Sequence, residues 1–248
     1  MRRIAIITGA GRGIGAATAV LAASSGYDIC VNYASNAGAA NLIVDNCIAK
    51  GVRAIACQAD VGVADEVARL FSTCDAELGR VSLLVNNAGI VGKSTKLVDL
   101  PSDVLLATYT VNVFGAIYCT QEAIKRMAKS QGGEGGAIVN ISSIAAKLGS
   151  PNEYVHYASS KAAVETLTVG LAKELGPEGI RVNCVRAGTT NTDIHATSGN
   201  PDRPAKFART APLGRVGEPI DMAEAILWLA SDKAAFTSGA ILSVAGGV

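Results

Sequence analysis

Imidazole is scarce in this sequence. Only His156 and His195 occur among 248 residues, which leaves zinc little to bind, and no metal is expected. Charge is thin as well: Asp, Glu, Lys and Arg make up 17% of the chain, the net charge is +1, and no five-residue run carries one sign. That composition excludes the electrostatic footprint of a nucleic-acid or anionic-membrane binder. Long apolar runs are missing too. Nothing approaches the ~18 residues of a membrane span, and the apolar stretch after Arg3 stops at Thr8-Gly9, too short for the core of a secretory signal. Six cysteines, at 30, 47, 57, 74, 119 and 184, form no CxxC, and most sit in apolar stretches such as "ICVN" and "VNCV". They read as free, buried thiols of a cytoplasmic protein.

What is present is an Ala-, Gly- and Val-rich chain, 49% hydrophobic with 27 glycines, of a length that suits one large α/β domain. Seven short apolar runs recur: "IAIIT" at 4–8, "DICVN" at 28–32, "RAIAC" at 53–57, "VSLLVNN" at 81–87, "GAIVNIS" at 136–142, "IRVNCV" at 180–185 and "AILSV" at 240–244. Their hydrophobicity is continuous, which predicts strands covered on both faces. Helix-length segments near 13–25, 37–50, 64–78, 102–129, 154–175 and 218–230 separate them. This alternation predicts a single-domain, doubly wound α/β fold over 1–248, a seven-stranded parallel sheet of the Rossmann type flanked by helices. The long irregular stretch 187–215 reads as a substrate lid.

Directly after the first strand comes "TGAGRGIG". Gly9, Gly11, Gly13 and Gly15, with Arg12 and Ile14 between them, stand at the strand-to-helix turn. There a tight bend and close backbone approach require residues without Cβ, and free N–H groups attract a pyrophosphate. NAD sites place an acidic residue near the end of the second strand to bond the ribose hydroxyls. Here the sequence is "CVNYASN", so Asn32, Tyr33, Ala34 and Ser35 occupy that place without a carboxylate. NADP (as NADPH) is therefore expected ahead of NAD, with Arg12 either meeting the 2′-phosphate or lying solvated at the surface. Asn36 is a further hydrogen-bonding candidate. Asp60, followed by Val61, either accepts from the adenine amino group or caps the next helix.

Tyr157 and Lys161 are four residues apart, so on a helix they share a face. A cation ~4 Å from a phenol at an effective dielectric of about 20 is worth roughly 4 kcal/mol. That predicts a phenol below its ordinary value near 10, usable as acid and base near neutral pH.

Together with "NNAG" at 86–89, Asn112 in "VNVFG", "NISS" at 140–143, "YASSK" at 157–161 and "SVAGG" near the end, these motifs give the chain a full-length resemblance to the short-chain dehydrogenases/reductases. The resemblance implies Tyr157 as catalytic acid/base, Lys161 lowering its pKa and bonding the nicotinamide ribose, and Asn112 holding a water that relays protons. It also implies Ser143 polarising the substrate oxygen, with Ser142 facing the other way; the bland alternative for both serines is turn and helix capping. Asn87, Ala88 and Gly89 are implied to meet the nucleotide, Asn86 less so, and Gly188, Thr190 and Thr192 the carboxamide. Two departures stand out: Ala187 replaces the usual proline, and Ala245 the usual aspartate. His156 is expected at a surface or interface and His195 within the lid. Arg203, Lys206 and Arg209 either attract an anion or form a solvated face.

The members most resembled are sugar-dehydrogenase-like, through "GSPNEYVHYASSKAA" and "RAGTTNTDIHA", and the substrate implied is a small carbonyl or alcohol. The alternatives are a 3-oxoacyl-[acyl-carrier-protein] reductase and a non-catalytic NADP-binding regulator. "SQGGEGG" and Glu178 speak against the first, by placing neutral or acidic groups where a carrier protein needs arginine at the cavity mouth. A homotetramer built through 102–129, 154–175 and the C-terminal strand is also implied.

Overall fold

The computed structural model describes residues 3–194, 198–199 and 202–248. Each of the seven apolar runs becomes a strand: β1 (Arg3–Ile7), β2 (Tyr27–Tyr33), β3 (Ala54–Gln58), β4 (Leu83–Asn86), β5 (Gly136–Ser143), β6 (Ile180–Ala187) and β7 (Ile241–Val244). They form one sheet in the order β3-β2-β1-β4-β5-β6-β7, and all pairs are parallel.

Alternation along the strands feeds two cores. Ala5 and Ile7 of β1 face one side, under α1 (Gly13–Ser24), α2 (Ala37–Ile48) and α9 (Pro219–Ala230). Ile4 and Ile6 face the other, under α3 (Ala64–Glu77), α5 (Gly115–Met127) and α7 (Val155–Leu175). Both faces are dry, which is why the strand runs are continuously apolar.

Two helices start on recognisable signals. Asn36 Oδ1 accepts the Ala39 N–H at 3.0 Å and caps α2, so it serves the helix. At α9, Glu218 and Asp221 form a reciprocal capping box around Pro219.

The chain departs from expectation at 102–129. Instead of one helix there are α4 (Ser102–Tyr109), a π-turn at Thr110–Phe114 and α5, the π-turn closing with the Gly115 N–H on the Thr110 carbonyl. Short α6 (Ala145–Leu148) follows β5, and within the stretch expected to be irregular lies α8 (Arg203–Ala208). All six cysteines are buried and free.

From β1 the chain winds outward to β3, then returns through β4 to β1's other edge. That reversal leaves a crevice at the carboxyl ends of β1 and β4, where open α/β sheets bind ligands.

Candidate active site

The crevice is a cavity of about 610 Å³. Its floor is the turn after β1. Gly9 (φ +61°) and Gly13 (φ +57°) are both left-handed, a conformation that side chains disfavour. A Cβ on Gly15 would lie 2.5 Å from Asn87 Nδ2 and 2.8 Å from the Gly9 carbonyl, so this glycine lets α1 press against the turn. Of the residues expected to hold a dinucleotide, all line the cavity except Gly15, which sits behind it, and the weaker candidate Asn86.

Asn32 lines the cavity but its amide is committed elsewhere. Oδ1 accepts the Gly9 N–H at 3.1 Å, and Nδ2 donates to the carbonyls of Ala59 (3.0 Å) and Cys57 (3.3 Å). It is a strut joining the ends of three strands, with no donor left for a phosphate. Asn87 is likewise tied to Thr8 and Gly9, while Asn86 bonds Asn140 and Thr120 inside the sheet. Asp60 Oδ1 accepts the Gly62 N–H at 2.9 Å. It closes a turn ahead of α3, whose cap is Val63, while its carboxylate still faces the cavity.

At the other end stand Ser143, Tyr157 and Lys161, all in the lining. Strand alternation separates the two serines. The Ser142 hydroxyl points to α7 and bonds Glu165 at 2.8 Å, whereas Ser143 lines the cavity with Tyr157, its Oγ accepting the Ala145 N–H at 3.2 Å. Asn112, at the centre of the π-turn, clamps the backbone of Ile90: Oδ1 accepts its N–H at 2.8 Å and Nδ2 donates to its carbonyl at 2.9 Å, with a second bond to Ser160 Oγ at 3.0 Å. It lies behind the lining, yet a Cβ on Gly89 would be 3.3 Å from Asn112 Oδ1 and 3.2 Å from Lys161 Nζ. The two side chains therefore converge on the bare edge of Gly89.

The electrostatics correct the expectation for the phenol. Lys161 is buried and donates to the Ile141 carbonyl at 2.8 Å, with Nζ 5.9 Å from the centre of the Tyr157 ring. Burial pushes the Tyr157 pKa up, against the opposing effects of the Ser143 hydrogen bond and the Arg203 cation. Burial also lowers Lys161 to about 8. The ammonium is turned toward the strand, and desolvation outweighs pairing.

The loop after β6 closes the site. Ala187, in the proline's place, has its carbonyl held by the Ile144 N–H at 2.7 Å, and Gly188 N–H bonds the Val244 carbonyl at 2.9 Å. Both polar groups of the peptide between Ala187 and Gly188 are thereby held. Ala245 packs where a Cβ on Gly188 would stand, 2.6 Å away. Thr190 Oγ1 bonds the Gly188 carbonyl at 3.0 Å, and Thr192 reaches across to Gly13.

His156 is not at the surface. It is buried, with Nε2 3.0 Å from the Val91 carbonyl, and burial lowers its pKa. His195 lies outside the described residues. Arg203 lines the cavity and pairs with Glu153 at 2.6 Å, while Lys206 and Arg209 are exposed. Glu178 accepts the Ser130 N–H at 2.8 Å, where both residues precede the starts of β5 and β6. The segment 130–135 and Glu178 therefore lie at the end of the sheet opposite the cavity and say nothing about its mouth. Sequence reasoning missed Tyr154 and Phe207 of the lining; no spacing pointed to either.

The family model described as enoyl-(acyl carrier protein) reductase matches residues 9–248. The chain is 44% identical to an uncharacterized oxidoreductase, YgfF, of Escherichia coli K12, over 98% of this chain and 99% of that one. It is 41% identical to an L-rhamnose 1-dehydrogenase (NAD(P)(+)) of Sphingomonas sp. SKA58, over 98% and 94%. Among solved structures, a short-chain type dehydrogenase/reductase from Mycobacterium marinum superposes with a TM-score of 0.92 at 32% identity, covering 99% of this chain and 94% of that one. A blue fluorescent protein from a metagenomic library, in complex with NADPH, gives 0.89 at 34%, covering 99% and 97%. The fold agrees with these likenesses, and the chain belongs to the short-chain dehydrogenase/reductase family, oxidoreductases of CH–OH and C=O groups.

Proposed function

We propose that the protein transfers hydride between NADP(H) and a small carbonyl or secondary alcohol, with hydroxylated, sugar-like compounds as the substrate class. The observation that carries this reading is the meeting of Ser143, Tyr157 and Lys161 in the cavity whose other end is the glycine turn. The bound nicotinamide supplies or receives the hydride. Ser143 donates a hydrogen bond to the substrate oxygen where negative charge develops. Burial keeps the Tyr157 phenol protonated at neutral pH, which is the form that gives a proton to an oxygen being reduced. Lys161, held on the Ile141 carbonyl, supplies a nearby ammonium, and Asn112 holds Ile90 and the flank of Gly89 in place.

Choice of NADP over NAD rests on Tyr33 and Ser35 standing where an acidic residue would repel a 2′-phosphate, and on Arg12. This arginine is exposed and makes no ion pair among the described residues. The L-rhamnose 1-dehydrogenase relative, whose name carries both nucleotides, supports the sugar-like reading. An aliphatic 3-oxoacyl thioester is the second reading, favoured by the apolar side chains of Ile144, Leu148 and Phe207 in the cavity wall. Exposed Trp228 and Phe236 beside the last strand, and Leu106 and Phe114 on α4 and the π-turn, support a homotetramer, and the free thiols support a cytoplasmic protein. The described residues of 187–215 that line the cavity, Arg203 and Phe207 among them, support a substrate cover.

Consumption of NADPH and NADH with sugars, ketones, diketones and a 3-oxoacyl thioester tests this. Tyr157→Phe is expected to lower turnover about 10²–10⁴-fold. A variant that keeps its rate removes the acid/base role.

A further inference from the structure

Tyr154 ends the turn before α7. It is 3% exposed, yet its hydroxyl has no hydrogen-bond partner among the described residues. Buried polar groups are almost always paired, and an exception calls for an explanation. Tyr154 lines the same cavity as Tyr157 and Ser143, so a molecule bound there that reaches the hydroxyl would supply its partner.

Arg203 reaches that wall from α8. Its side chain is 16% exposed, and its guanidinium lies 5.3 Å from the centre of the Tyr154 ring and 4.7 Å from that of Phe207. Nη1 bonds Glu153 at 2.6 Å. Glu153 itself is 42% exposed, so the acid faces water while the cation is stacked within the wall. The turn supplying both Glu153 and Tyr154 is closed by the N–H groups of Glu153 and Tyr154 on the Ser150 carbonyl, with Ser150 (φ 43°) and Asn152 (φ 63°) left-handed although neither is glycine. Such strain persists where surrounding structure requires it and clusters at ligand sites.

The chemistry of the pair selects its ligand. Arg203 is already neutralised by Glu153, so an anionic substituent would have to displace a carboxylate. A neutral hydroxyl meets no such competitor: the phenol can both donate and accept, and the guanidinium retains donors beyond Nη1. We propose that Tyr154 and Arg203 form a subsite that binds a hydroxyl group of the substrate away from the reacting carbon, making hydroxylated carbonyl compounds and polyols the preferred class. This rests on the reading of Tyr157 and Ser143 as the groups that take the reacting oxygen.

The test compares matched ketones with the intact protein and its faster nucleotide: 5-hydroxypentan-2-one against pentan-2-one, and 3-hydroxybutan-2-one against butan-2-one. The wild type is expected to favour the hydroxylated member of at least one pair by tenfold or more in kcat/KM. Tyr154→Phe is expected to cut that ratio at least fivefold, and Arg203→Met to do the same should Tyr154→Phe fail to fold. A structural role would lower both members alike and leave the ratio unchanged, which overturns the subsite. A wild type that reduces both members equally also overturns it while leaving hydride transfer intact. Failure to turn over any carbonyl compound with either nucleotide removes the functional reading itself, and the subsite with it.

Discussion

Glu165 accepts the Ser142 hydroxyl at 2.8 Å while its two oxygens hold Arg186 at 2.7 and 2.6 Å. One carboxylate thereby joins β5, α7 and β6 one helical turn behind Lys161. The pair is only partly buried, with side chains 19% and 12% exposed, so removing one partner strands the other charge at a cost of roughly 1–3 kcal/mol. Glu165→Ala is therefore expected to lose that much stability in urea unfolding, and the double variant with Arg186→Leu to recover most of it. Equal losses in the single and double variants would show that the pair does not couple.

Lys161 gives stability a defined dependence on pH. Folded, it holds its proton only up to about 8, against an ordinary value of 10.5. Between those values the unfolded chain binds the extra proton, so stability rises with pH across the window, by about 3 kcal/mol in total. Cys47, raised to about 11, and Cys184, raised to about 12, work the other way above pH 9, because the unfolded thiols ionise first. The difference in unfolding free energy between wild type and Lys161→Met isolates the lysine. That difference should change by about 3 kcal/mol from pH 7.5 to 10.5, in the direction that favours the wild type at high pH.

Gly89→Ala places a methyl 3.2 Å from Lys161 Nζ and 3.3 Å from Asn112 Oδ1. One of the two must yield. Small displacements of catalytic groups cost up to about 10²-fold, so kcat is expected to fall roughly 10–10²-fold, with the cooperative thermal transition retained. Unchanged kcat would mean that the convergence of the two side chains has no part in turnover.

Nucleotide choice is read as a ratio. A charged hydrogen bond is worth about 1.5–3 kcal/mol, so Arg12→Ala should lower the ratio of kcat/KM for NADPH over NADH about tenfold or more. Tyr33→Asp, which restores an acidic residue at the end of β2, should lower it further. A ratio that ignores both changes leaves the 2′-phosphate unassigned.

Much of this was legible in the sequence. Seven continuously apolar runs gave seven strands because parallel strands covered on both faces have no polar side to interrupt them. The glycines were legible because left-handed backbone and close approach admit few substitutes. The π-turn was not, since 102–129 contains no proline. Its cause is tertiary: Gly115 is pressed by Val61, whose Cγ2 would stand 2.7 Å from a Cβ there, and Asn112 is bound to Ile90. Spacing correctly turned His156 away from Tyr157, but spacing cannot tell a solvated face from one covered by residues 91 and 92. The four-residue interval likewise put Tyr157 and Lys161 on one face without revealing that Ile141 holds the ammonium. Tyr154 and Arg203 are 49 positions apart, and only the folded chain brings them together.

A Cβ on Gly13 would come within 3.3 Å of the Thr192 methyl. The first and sixth strands thus send out lips that nearly touch over the middle of the groove, and the opening there is only as wide as a missing side chain allows. A methyl at position 13 would press on Thr192 and narrow the groove at that point.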